Sequence, residues 1–160
     1  TFSAKDYILK EGQKARQLHF IQHGLLRTFH LYKGKEINTY LACDGAFVAG
    51  YSSFINQTSS FENIQCLEDT KTLAITYGNM NHLYNTIPHW QIIGRTLAEH
   101  YFQCMADRIF FIQTHDAETK YQDFLQNANP KIVQRTPLIH VASYLGITPE
   151  TLSRIRKRIS

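Results

Sequence analysis

The stretch PLIHVASYLGITPETLSRIRKRIS, Pro137 to Ser160, decides how this chain is read. Apolar residues fall at Leu138, Val141, Leu145, Ile147, Leu152 and Ile155. That spacing suits two short helices crossing at a steep angle. Ala142 is small enough to let the second helix approach the first. Gly146 accepts the left-handed backbone that a tight turn needs. Thr148 is placed as the N-cap of the second helix and Pro149 as its first residue, a pairing favoured at helix starts. Ser153, Arg154, Arg156, Lys157 and Arg158 then put hydrogen-bond donors and positive charge on that helix. The pattern predicts a helix-turn-helix whose second helix enters a DNA major groove. The plainer alternative is a helical hairpin with a basic tail.

Working outward, 160 residues fit one large domain or two small ones, and the composition (43% hydrophobic, 19% charged) is that of a soluble globular protein. No apolar run approaches the ~18 residues of a membrane span. Three dispersed cysteines, Cys43, Cys66 and Cys104, with no C-x-x-C, read as free thiols of a reducing cytoplasm. The net charge of +4 is concentrated at one end. From residue 131 on, Lys131, Arg135, Arg154, Arg156, Lys157 and Arg158 face Glu150 alone, which leaves the body near neutral. Local cationic charge is what phosphate contact requires.

The first half reads as short strands between turns: Tyr7 to Leu9, His19 to Gln22, Leu25 to Tyr32, Glu36 to Leu41, Asn63 to Leu67 and Thr70 to Thr76. Glycine-containing turns roughly every ten residues predict an antiparallel β-roll. A helix near Gly78 to Asn85 follows, then Pro88 and a long helix from about Trp90 to Thr114. Its apolar stripe runs Ile93, Leu97, Tyr101, Met105, Ile109 and Ile112, widened by Ala98, Phe102, Ala106 and Phe110. At about 1.5 Å per residue such a helix spans nearly 40 Å, and its face is expected to pair with a second copy about a two-fold axis. A further helix, Ala117 to Gln126, leads into the terminal module. The expected units are an α+β arrangement of a β-roll (1–88), a connecting and dimerisation helix (89–115) and a DNA-binding domain (116–160).

This order resembles the Crp/Fnr family of bacterial transcription regulators over nearly the whole chain. The resemblance is carried by Gly12, by F-I-x-H-G ending at Gly24, by G-K-E at Gly34 to Glu36, by G-A-F at Gly45 to Phe47, and most specifically by Ser143 to Arg156. It implies a jelly-roll domain like those that bind cyclic nucleotides, a homodimer in the cytoplasm, a palindromic double-stranded DNA operator and contact with RNA polymerase. On that reading Thr148 belongs to the DNA-binding set, Glu150, Thr151, Ser153 and Arg154 are candidates for base edges (Arg154 for a guanine, Glu150 for a cytosine N4), and Arg156, Lys157 and Arg158 for phosphates. On this alignment the family's leading N-terminal segment is expected to be missing from the sequence as read. With four residues read beyond Arg156, the usual β-hairpin wing is not expected within them.

The departure lies between Gly45 and Gln65. Cyclic-nucleotide sensors of the family use an acidic residue for the ribose and an Arg-Ser or Arg-Thr pair for the phosphate. Laid on this chain without gaps, Gly50 takes the acidic position, Ser60 the arginine position and Phe61 the hydroxyl position. A buried phosphate without a cation costs several kcal/mol of desolvation, so no response to cyclic AMP is expected. Tyr51, Ser52, Ser53, Ser59, Ser60, Phe61 and Asn63 are the candidate lining of a pocket for an uncharged effector, or else fill it themselves. No cofactor or metal is expected: the cysteines cannot supply an iron-sulfur cluster, and the eight histidines form no metal-spaced pair. No enzyme motif is present. Two other classes stay open, a ligand-binding module acting on a partner protein and a cupin-like metalloenzyme.

Overall fold

The computed structural model describes residues 1–159 and opens with a double-sheet roll. Seven strands build it: β1 (Tyr7–Leu9), β2 (Gln17–His23), β3 (Leu25–Tyr32), β4 (Lys35–Cys43), β5 (Phe47–Val48), β6 (Asn63–Cys66) and β7 (Lys71–Thr76). One sheet runs β1-β6-β3-β4 and the other β5-β2-β7, all pairings antiparallel. Leu9, Leu18, Ile21, Leu26, Val48, Phe54, Ile64 and Cys66 fill the space between the sheets. The β2–β3 corner is pinned at Gly24, at φ 145°, where Thr70 packs so close that a Cβ has no room.

The helices are α1 (Tyr51–Asn56), α2 (Tyr77–Thr86), α3 (Pro88–Thr114), α4 (Ala117–Asn127), α5 (Pro130–Arg135), α6 (Leu138–Leu145) and α7 (Pro149–Ile159). Capping explains most of their starts. The Thr76 hydroxyl accepts from the Asn79 N–H, Asp116 from Thr119, and Asn129 from Lys131, with Pro130 opening α5. The expected strands and long helices are present with boundaries shifted by a few residues. β5, α1 and α5 are additions, and the Asn129-Pro130 start signal of α5 was there to be read.

A second core joins α4, α6 and α7: Tyr121, Phe124, Val141, Ala142, Leu145, Leu152 and Ile155, completed by Leu41 of β4. The terminal helices therefore do not close their core alone. They borrow a side chain from the roll.

The long helix behaves differently from the uniform stripe expected of it. None of its 27 residues is fully buried. Leu97 packs on the roll core, Tyr101 stacks on Tyr51 with ring centroids 5.0 Å apart, and Met105 and Ile112 line clefts of their own chain. Ile93 and Ile109 are half exposed or more, together with Ile92, Phe102 and Phe110. The exposed apolar surface of the helix is thus Phe102, Ile109 and Phe110 with Ile92 and Ile93. Leu97, Tyr101, Met105 and Ile112 serve the chain's own packing, because the roll and α6 claim that side of the helix.

Candidate nucleic-acid interface and effector cavity

The terminal hairpin has the geometry its spacing predicts. Gly146 caps α6 in the left-handed region at φ 68°, and its N–H reaches back to the carbonyls of Ala142 and Ser143. The Thr148 hydroxyl accepts from the Thr151 N–H at 3.2 Å, as an N-cap should. Leu152 and Ile155 are 1% and 2% exposed against Val141, Ala142 and Leu145. Each such burial is worth roughly 1.5–3 kcal/mol.

With those two residues inward, the helical repeat of α7 turns Glu150, Ser153, Arg154 and Lys157 to solvent, and all four are exposed. Arg156 lies on one flank. Arg158 lies on the other and is paired with Glu118 of α4 at 2.9 Å. Thr148 and Thr151 are spent largely on the cap and on each other, with their hydroxyls 3.1 Å apart. Glu150 is held below the usual carboxylate range by its own backbone N–H, the Thr148 hydroxyl and then Arg154.

The cationic end divides in two. Lys131 bridges Asp44 (2.8 Å) and Glu68 (2.6 Å), and Arg135 also reaches Glu68 (2.9 Å). These two cations tie α5 to the roll, so the expected basic tail narrows to the outer side of α7.

The first helix of the hairpin is docked on the roll. β4 is an edge strand, and the Ser143 hydroxyl accepts from the Asn38 N–H (2.9 Å) while donating to the Glu36 carbonyl (2.8 Å). Arg27, 4% exposed, donates to Gln65, Glu36, Asn38 and the His140 Nδ1. From the long helix, Arg108 donates to the carbonyls of Asn38 and Tyr144 and lies over the Tyr144 ring at 3.9 Å. Sequence reasoning missed this junction, since nothing local in the chain pairs Arg27 or Arg108 with residues over thirty positions away.

Between the roll and α3 lies a cavity of about 520 Å³. Its lining includes Thr28, His30, Tyr40, Cys43, Asp44, Tyr51, Glu62, Leu97, His100, Tyr101, Cys104 and Met105, and no lysine or arginine among the described residues. Burial raises the Glu62 carboxyl, with His30 opposing, and also raises the Tyr40 and Tyr101 phenols. Of the seven residues expected to line an effector pocket, Tyr51 alone does so. Ser53 accepts from the Ala15 N–H and donates to the Thr58 carbonyl. Ser60 bonds the backbone of Glu62 in both directions. Phe61 is 58% exposed against His30. Asn63 accepts from the Glu11 N–H while its buried Nδ2 has no partner. Ser52 and Ser59 are exposed. The Ser53 and Ser60 hydroxyls are thus consumed by the turns around α1.

The chain thus joins a β-roll through a long helix to a helix-turn-helix. The cyclic nucleotide-binding domain family matches residues 1–86, more than half of the chain, and the chain belongs to that family. Among solved structures it is similar to FixK2 from Bradyrhizobium japonicum, at a TM-score of 0.82 and 13% identity, covering 99% of this chain and 81% of that one. It is also similar to the c-di-GMP responsive global regulator CLP of Xanthomonas campestris, at 0.77 and 14%, covering 99% and 84%. A protein from Eubacterium rectale, assigned to the transcriptional regulators of the Crp/Fnr family, matches at 0.76 and 18%, covering 98% and 74%. The fold is therefore that of Crp/Fnr regulators. No curated protein matches the chain. No helix among the described residues is long and apolar enough to cross a membrane.

Proposed function

We propose that this protein is a homodimeric, sequence-specific DNA-binding transcription regulator of Crp/Fnr type that acts in the cytoplasm without metal or cofactor and does not answer to cyclic AMP. The observation that carries the reading is the outer side of α7, where Glu150, Ser153, Arg154 and Lys157 stand exposed over a packed Leu152–Ile155 inner side. Arg154 is the candidate for a guanine edge and Lys157 for a phosphate. Glu150, exposed in the first turn of α7, is the candidate to accept from a cytosine N4 amine. A dimer joined along Phe102, Ile109 and Phe110 would present two such helices to successive major grooves, about 34 Å apart.

Two features support indifference to cyclic AMP. The cavity lining contains no lysine or arginine, and a cyclic phosphate there would lack the charge-assisted partner that offsets its desolvation. The position aligned with the ribose-binding acid, Gly50, is crowded: a Cβ there would lie 2.5 Å from Leu9 Cδ2 and 3.0 Å from Ser60 Oγ. Nor is a glutamate side chain accommodated without displacing Leu9.

Selection of a palindromic operator from randomised duplex DNA, followed by salt-dependent affinity measurement, tests the reading. Arg154→Ala should lose about 1–3 kcal/mol on the selected operator and relax one base position, while Lys157→Ala should weaken operator and random DNA alike. No enriched sequence, or equal losses on both DNAs for both variants, would sink it. Calorimetry giving micromolar or tighter cyclic AMP binding would remove the second part alone.

A further inference from the structure

We infer that Cys104, with His100 beside it, is a covalent modification site for small uncharged electrophiles that enter the cavity between the roll and the long helix. The three thiols are not equivalent. Cys43 and Cys66 are buried, and burial raises both. Cys104 is partly accessible and lines both the 520 Å³ cavity and the neighbouring cleft of about 560 Å³ between α3, α4 and α6. It can be approached from either side.

One helical turn earlier, His100 brings its Nε2 to 3.6 Å from the Cys104 Sγ, and it lines the same cavity. A thiol within reach of a neutral imidazole can pass its proton over and react as the thiolate. The walls select the partner. Asp44 and Glu62 are the carboxylates of a lining that contains no lysine or arginine, and Lys131 engages Asp44 from outside it. An anionic reagent would shed its hydration there without a cationic partner, while Leu97, Met105, Tyr40 and Tyr101 give an uncharged one an apolar surface.

For an α,β-unsaturated carbonyl compound the step balances without an oxidant. The His100 nitrogen takes the thiol proton, and the Cys104 sulfur forms a C–S bond to the β-carbon. The π pair of the C=C bond moves to the α-carbon, which then takes the proton from the imidazolium. A thioether adduct and a neutral histidine remain.

The experiment treats the folded full chain with N-ethylmaleimide or with 3-maleimidopropionate, which carries the same reactive ring with a carboxylate. Rates are divided by those on N-acetylcysteine amide, and sites are mapped by mass spectrometry. Cys104 should react about tenfold faster than Cys43 or Cys66, with the uncharged reagent favoured several-fold after normalisation. Folded His100→Asn should slow the reaction at pH 7 and move the half-maximal rate to higher pH, and Cys104→Ser should abolish the fast phase. Equal labelling of the three cysteines, parity between the reagents, or an unchanged pH profile in His100→Asn would overturn the inference. None of these readouts depends on DNA binding.

Discussion

Replacing Ser143 with alanine removes one hydroxyl from the seam between the helix-turn-helix and the roll. That hydroxyl is the acceptor for the Asn38 N–H and the donor to the Glu36 carbonyl. Asn38 is 1% exposed, so water does not readily replace the lost acceptor. A buried N–H left without its acceptor costs about 1–3 kcal/mol. The bond to Glu36 adds little, because that residue is exposed at the sheet edge and its carbonyl can turn to water. At 1.4 kcal/mol per factor of ten, the Asn38 amide should exchange with deuterium about 5- to 150-fold faster in the variant. Amides of the roll core, such as Ile21 and Leu26, should change far less. Ser143→Thr keeps the hydroxyl and should stay near wild type. Exchange at Asn38 accelerated less than twofold, or accelerated no more than at Ile21, would show that α6 does not complete the β4 edge.

Leu152→Ala should destabilise the terminal helices by about 2–5 kcal/mol, read as a lowered denaturation midpoint, because the side chain is 1% exposed among Val141, Leu145 and Ile155. His140 is lowered from its ordinary 6.5 by burial and then by Arg27, against Glu36, so the folded chain keeps it neutral where the unfolded chain protonates it. Stability should therefore fall as the pH drops through 6.5 toward the folded value. His140→Asn should flatten that fall, whereas the Glu36 contribution disappears only below 4.5, in a separate window. Phe102→Glu should abolish self-association in sedimentation experiments with little change in thermal stability, because Phe102 is 73% exposed on the single chain. A stable dimer in that variant would place the interface elsewhere.

What was legible in the chain was local. The helix-turn-helix rests on spacings within 18 residues, Leu138 to Ile155, and on a cap and a glycine whose demands are set by neighbours in sequence. The strands of the roll were legible for the same reason. The division of the α3 stripe was not, because periodicity says which residues are apolar and not which side the roll will claim. The pocket lining misled in a similar way. Ser53 and Ser60 look like ligands in sequence, yet each hydroxyl satisfies backbone groups of the tight turns around α1. Lys131 and Arg135 count toward a basic tail until Asp44 and Glu68 meet them from the roll.

A ligand in the cavity can influence the terminal helices only through elements that both touch, and only if it binds their two arrangements with different affinity. β4, α3 and α5, whose Ile132 lines the cavity and packs on the terminal core, are those elements. Tyr40, Cys104 and Met105 line the cavity. Asn38, two residues back along β4, and Arg108, one turn on along α3, hold α6. Asp44, also in the lining, holds Lys131 of α5. Because Arg108 binds β4 and α6 at once, a rotation of α3 that carried Tyr101 away from Tyr51 would strain both of its hydrogen bonds. The roll supplies Leu41 to the terminal core, so shifting α6 off β4 also opens apolar surface that must be covered again. Few intermediate positions satisfy both requirements, which makes the seam suited to two discrete arrangements rather than a continuous slide.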